Sequence, residues 1–163
     1  MALQISARPD ADSALVQWNA YFTTGVPPEA LHDFLVALDA SAVPDMGLEE
    51  PEAVVTALSA QGWIRDVDRP HTAATDPGSA SHISLETLPD LSVDAALQED
   101  LMGWQAWAEP TFGAPYLWCT NFSPSVPHEL VAAFAASLAS PAPVARHRLP
   151  QGAEKRLTIV HRG

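Results

Sequence analysis

The sequence predicts an α+β fold: two pseudo-symmetric strand-helix repeats whose antiparallel sheet packs against helices. Three observations predict it. Residues 14–44 align with residues 114–144 without a gap, at an offset of 100. The first part of each copy mixes aromatic and β-branched residues in a strand-like pattern, and the second carries apolar residues at helical spacing. Between Trp18 and Leu38, the residues Trp18, Phe22, Val26, Pro27, Glu29, Phe34 and Leu38 recur as Trp118, Phe122, Val126, Pro127, Glu129, Phe134 and Leu138. That is seven of 21 positions, where ordinary composition gives roughly one or two.

In chain order, Leu15–Thr23 reads as a strand, with Val16, Trp18, Ala20 and Phe22 at period two. A short polar turn follows, and Pro27 opens a helix where a missing N–H costs nothing. Leu31, Phe34, Leu35 and Leu38 form its apolar stripe. Glu29 places a carboxylate in the first turn, at the positive end of the helix dipole. Pro51–Gln61 reads as a further helix with Val54, Ala57 and Leu58 on one side and Gly62 to end it. Val67–Ser81, rich in Pro, Gly, Asp, Ser and Thr, reads as a loop. Strands are expected at Ser81–Leu88 and Trp104–Ala108, and a short helix capped by Ser92 at Ser92–Met102. The strand Tyr116–Ser123 and the helix after Pro127, with Val131, Phe134, Ala135 and Leu138 as its stripe, complete the second copy. The organisation is therefore a first, truncated repeat over 1–45, a connecting helix and loop over 46–80, a second repeat over 81–145 and a basic tail over 146–163.

At 163 residues and 47% hydrophobic content, the chain is long enough to bury a sizeable core. Cys119 is its only cysteine, which excludes an intrachain disulfide and a thiolate metal cluster. Apolar stretches such as Leu130–Ala136 fall far short of the roughly 20 residues needed to cross a bilayer, and MALQISARPD lacks a basic region followed by an apolar run. The expectation is a soluble cytoplasmic protein with no membrane partner. Its net charge is −12, unevenly spread. Residues 146–163 hold Arg146, Arg148, Lys155, Arg156 and Arg162 against Glu154 alone, 5 − 1 = +4, which leaves 3 − 19 = −16 for residues 1–145. The tail either neutralises the acidic body or serves as a basic arm for nucleic acid or an acidic partner.

The residues Trp118, Phe122, Pro127, Glu129 and Leu130 and the run VAAFAASLASPAPVAR resemble the SPDY-domain family. So do the preceding ALSAQGW and the spacing from Trp104 to Trp118. The resemblance implies an actinobacterial domain of unknown function that usually occurs as two tandem copies, with no catalytic residues to carry over. The sequence departs from the family at two places. Val26 and Val126 stand where the family commonly has Thr, forfeiting a hydroxyl cap. Thr75, Asp76, Pro77 and Gly78 replace its Ser-Pro-Asp motif.

No constellation of catalytic residues emerges from spacing. The six histidines lack zinc-ligand spacing, with His32 and His128 at non-equivalent positions of the repeat. Cys119 sits mid-strand opposite Asn19 of the other copy, which suits an inert, half-buried thiol. Glu49, Glu50 and Glu52 suit an acidic helix start, and Glu99 and Asp100 are adjacent and do not face each other on a helix. No catalytic residue, cofactor or metal is expected. Trp18 and Trp118 are expected in the core. Trp104 and Trp107, an odd number apart, should point to opposite faces of one strand, so one of them faces outward. The expected function is a non-enzymatic interaction module that binds a protein partner through an acidic or aromatic surface. The alternative is nucleic-acid binding that uses Trp104, Trp107, Arg146, Arg148, Lys155, Arg156 and Arg162. The sequence leaves the oligomeric state open.

Overall fold

The computed structural model describes residues 2–10, 12–41, 51–86, 102–111 and 113–142. Seven strands and three helices are described: β1 (Leu3–Ala7), β2 (Trp18–Phe22), α1 (Pro28–Ala40), α2 (Glu52–Ser59), β3 (Ile64–Arg65), β4 (Ala73–Thr75), β5 (Ser81–Glu86), β6 (Gly103–Ala108), β7 (Trp118–Phe122) and α3 (His128–Leu138). The strands form one antiparallel sheet in the order β1-β2-β7-β6-β5-β4-β3. The class is α+β, as predicted.

The two segments 100 residues apart are both strand then helix, and their strands β2 and β7 are neighbours in the sheet. Tyr21 pairs directly with Asn121, flanked by Ala20 with Phe122 and Phe22 with Thr120. The hydrogen bonds across this seam come in matching sets. Thr23 N donates to Cys119 O at 3.0 Å and Ser123 N donates to Asn19 O at 2.8 Å. Cys119 N donates to the Thr23 hydroxyl at 2.8 Å and Asn19 N donates to the Ser123 hydroxyl at 2.9 Å. These hydroxyls thus hold the two strands together, while the carbonyl of Pro27 or Pro127 accepts the first helical N–H groups.

All three helices lie on one face of the sheet, with α3 between α1 and α2. The core fills this interface. Phe22, Phe34, Phe122 and Phe134 pack mutually, with centroid separations from 5.3 Å between Phe122 and Phe134 to 6.1 Å between Phe22 and Phe134. Trp18 closes one end edge-on against Phe34, and Val54, Val55 and Leu58 of α2 extend the core toward β4. The position of α3 explains a departure from the predicted stripes. α3 is flanked on both sides and buries Leu130, Val131, Phe134 and Ala135. α1 lies at the end of the helix layer, buries only Ala30 and Phe34, and leaves Leu35 42% exposed.

Other expectations need correction. Residues 1–45 carry two strands and a helix rather than one strand and a helix, because Leu3, Ile5 and Ala7 alternate inward against β2. The segment read as a loop over 67–81 contains β4, in which Ala73 and Ala74 are buried. The turn after β4 is built on Asp76, whose carboxylate accepts the N–H groups of Gly78, Ala80 and Ser81. β3 follows the turn at Gly62, which has φ +88. The helix expected at 92–102 falls outside the described residues up to 101, and Met102 is not helical.

Candidate open-face binding site

Period-two alternation gives the sheet a second face that no described helix covers. Across it run the cross-strand neighbours Gln4 and Tyr21, Tyr21 and Asn121, Asn121 and Gln105, Cys119 and Trp107, and Trp107 and His82. A concavity of about 680 Å³ lies over the β1-β2-β7-β6 part of this face, large enough for a drug-sized ligand or a short peptide. Its lining side chains are amide, hydroxyl, thiol and aromatic groups, with no charged residue among them. Ser6 and Gln4 both donate to Asn19 Oδ1, at 2.7 and 3.3 Å, fixing that amide at the β1 side.

The aromatic part is an organised cluster. The Trp107 ring stacks on the His82 imidazole at 5.1 Å and 19°, and meets Tyr116 at 6.3 Å. Tyr21 and Tyr116 are 47% and 62% exposed. His82 is held at Nδ1, 3.1 Å from the Thr75 hydroxyl, while Nε2 lies 3.6 Å from Glu109 Oε1, beyond hydrogen-bond reach. Glu109 is itself buried, and its other oxygen accepts Gly113 N at 3.0 Å. The arrangement positions an aromatic surface.

Charge lies at the margins. Glu86 beside β5 accepts from Arg69 at 2.8 Å and from the Ser84 hydroxyl at 2.7 Å. The Arg69 guanidinium, then the Ser84 hydroxyl, hold its carboxyl below the usual carboxylate range. The helix side is acidic, with Glu29, Asp33 and Asp39 on α1, Glu52 on α2 and Glu129 on α3. The described helices carry no Lys or Arg. The hydrogen bond from His32, seconded by one from Ser137, lowers the pKa of Asp33. Arg65 donates to Glu52, Thr56 and Ser59 and so ties β3 to α2.

The sequence-derived candidates separate clearly. Trp107 stands on the open face. Trp104 points the other way, is 1% exposed and meets His128 edge-on at 6.2 Å, so it offers no surface to a partner. Trp18 and Trp118 are in the core. Arg146, Arg148, Lys155, Arg156 and Arg162 lie outside the described residues. Cys119 is half-buried on the open face. Among the described residues, no group of three or more His, Cys, Asp or Glu side chains stands close enough to hold a metal ion. No described helix is long and apolar enough to cross a membrane. Sequence reasoning missed His82, Glu109, Tyr21 and Tyr116. The pairing of Ser81 with Ala108 brings His82 and Glu109 together across 27 residues of chain, and only the hairpin register reveals it.

The sequence matches the SPDY family, described as a domain of unknown function (DUF317), over residues 4–44 and 82–144. The chain belongs to this family. The first matched stretch spans β1 to α1 and the second spans β5 to α3, so the SPDY segments supply both sides of the β2-β7 seam. Helix α2 and strands β3 and β4 lie between them. No curated relative and no solved structure shows significant similarity to this chain.

Proposed function

We propose that this SPDY chain is a non-catalytic interaction module that binds a protein partner through the open face of its sheet. The observation that carries the reading is the composition of that face: exposed Tyr21 and Tyr116 and the His82-backed Trp107 beside an amide and hydroxyl array. Aromatic side chains are enriched at protein interfaces and charged residues are depleted at interface centres, which matches this surface. Amides and hydroxyls suit the neutral hydrogen-bonding groups of a polypeptide. The reading also takes the two SPDY segments as a duplicated, pseudo-symmetric pair. Its support is the pairing of Tyr21 with Asn121 and the matched hydrogen bonds of Thr23 and Ser123.

Nucleic-acid binding is the less favoured reading. A stacking platform needs cations along the strand path, and the described basic residues are Arg8, Arg65 and Arg69, none of which lines the concavity. The test is affinity capture from source cells with native and Trp107→Ala baits of equal thermal stability. A protein retained by the native bait and lost by the variant supports the reading. Identical captured proteins from both baits overturn it.

A further inference from the structure

The two edges of the sheet differ in a way that points to a second interface. β3 is an edge of two residues, Ile64 and Arg65, followed by Asp66, and short charged edges resist pairing with another chain. Among the described residues, β1 is the other edge, five residues, LQISA, without a charge or a proline. It belongs to a chain of net charge −12, so an uncharged strip is a selective place for two copies to meet.

The backbone directions give the register of such a contact. Asn19 turns its N–H and C=O toward β7, as its bonds with Ser123 require. Alternation then turns Trp18, Ala20 and Phe22 toward β1, where they pair with Ala7, Ile5 and Leu3. Gln4 and Ser6 therefore keep their backbone donors and acceptors on the outer side of β1. This edge is self-complementary. Two β1 strands set antiparallel with Gln4 opposite Ser6 satisfy both residues on each strand, and they place Ile5 against Ile5 on a two-fold axis with Leu3 opposite Ala7.

The helix above the edge carries the matching feature. Asp33 faces α3 through Ser137, and Ala30 and Phe34 point at the sheet. At 100° per residue, Leu31, Leu35 and Leu38 fall on the flank turned away from α3, above β1. Leu35 and Leu3 are 42% and 43% exposed, so the outermost helix and the edge strand each offer an apolar side chain to a partner. Within the chain, β2 and β7 already join in this manner, with α1 and α3 packed across their seam.

We propose that two copies of this chain pair through β1, forming one continuous sheet across a two-fold axis with the two α1 helices covering the seam through Leu31, Leu35 and Leu38. Gln4 and Ser6 lie on the open face, so the dimer merges two open faces into one surface. The proposal is independent of what that surface binds.

The test is sedimentation equilibrium of the full chain over a range of concentrations, alongside Ser6→Pro and Leu35→Asp. Ser6→Pro removes an outward N–H and keeps the β1-β2 backbone bonds, losing only the side-chain bond to Asn19; Leu35→Asp charges an exposed position and guards against a folding failure of the proline variant. The native chain should reach a mass of twice 17.4 kDa. Each folded variant should associate about 30-fold or more weakly, the size of an interface hot spot. A native chain that stays monomeric throughout overturns the proposal, as does a dimer that both variants leave intact. A monomer that dimerises only after removal of residues 146–163 also overturns it, since the edge then belongs to the chain's own tail.

Discussion

Phe134→Ala removes the ring that locks α3 to the sheet. Phe134 has no exposed surface, and its ring lies 5.3 Å from Phe122 and 6.1 Å from Phe22. The ring sits between the helix layer and strands β2 and β7, so the site cannot collapse without shifting α3, which is flanked by both other helices. The cost should be about 3–5 kcal/mol, the usual range for a buried phenylalanine truncated to alanine. A domain is stable by about 5–15 kcal/mol, so one ring removes a large part of the margin. With a urea slope of about 2 kcal/mol/M, the midpoint should fall by roughly 1.5–2.5 M. Val36→Ala provides the contrast, since Val36 is on the same helix layer but 53% exposed and should cost less than about 1 kcal/mol. Phe34→Ala should match Phe134→Ala within about 1 kcal/mol, because both rings pack on Phe22 and Phe122. Urea titrations at one fixed protein concentration measure all three. Equal midpoints for Phe134→Ala and Val36→Ala would refute the placement of the core.

Three further outcomes follow from the geometry. Gly103→Ala should destabilise by at least about 2 kcal/mol, because Gly103 has φ +97 and an added Cβ would run into Phe122 O and the Pro124 nitrogen. Gly62→Ala has open space at φ +88 and should cost about 1 kcal/mol; thermal or urea unfolding with the two costs in the opposite order would contradict the backbone account. Glu86→Gln should cost about 0.2–1 kcal/mol at pH 7, the ion pair with Arg69 being about half exposed. The folded pKa of Glu86 is lowered, so its contribution is present above the unfolded value of 4.5 and is lost as the pH falls through the folded value. The native and Glu86→Gln stabilities should therefore converge below pH 4, and a constant gap from pH 7 to pH 3 would contradict the shift. Trp107→Ala removes a half-buried ring from a face that no described helix covers, so its cost should be well under that of Phe134→Ala by the same titration.

Much of the fold was legible because the segments 18–38 and 118–138 state the same physics. Trp18, Ala20 and Phe22 alternate with polar residues, and Phe34 and Phe134 mark the inner faces of their helices. The elements that escaped are short and owe their form to pairing rather than to local pattern. β4 is the run Ala73–Thr75 within turn-forming residues, and it exists because β5 and β3 flank it. β1 was overlooked although Leu3, Ile5 and Ala7 alternate, since five residues beside Arg8 and Pro9 give a weak signal. Leu35 fits the helical stripe, but its burial depends on which helix occupies the middle of the layer, and periodicity does not encode that order. The site was half legible for a similar reason. An odd spacing puts Trp104 and Trp107 on opposite faces, but only the tertiary fold decides which face the helices cover. The stack of His82 on Trp107 and the approach of Glu109 depend on hairpin register, which composition does not reveal.

The central claim is that the face of the sheet that no described helix covers is where this SPDY chain meets its partner. Site-specific photo-crosslinking tests it most directly, with the crosslinking residue placed at Tyr21 or Tyr116 on the open face, or at Val36 on the helix layer, in the full chain inside its source cells. Positions 21 and 116 should each yield a discrete protein adduct that Trp107→Ala abolishes, and position 36 should yield none. Adducts confined to position 36, or adducts to nucleic acid that vanish when residues 146–163 are removed, would contradict the claim.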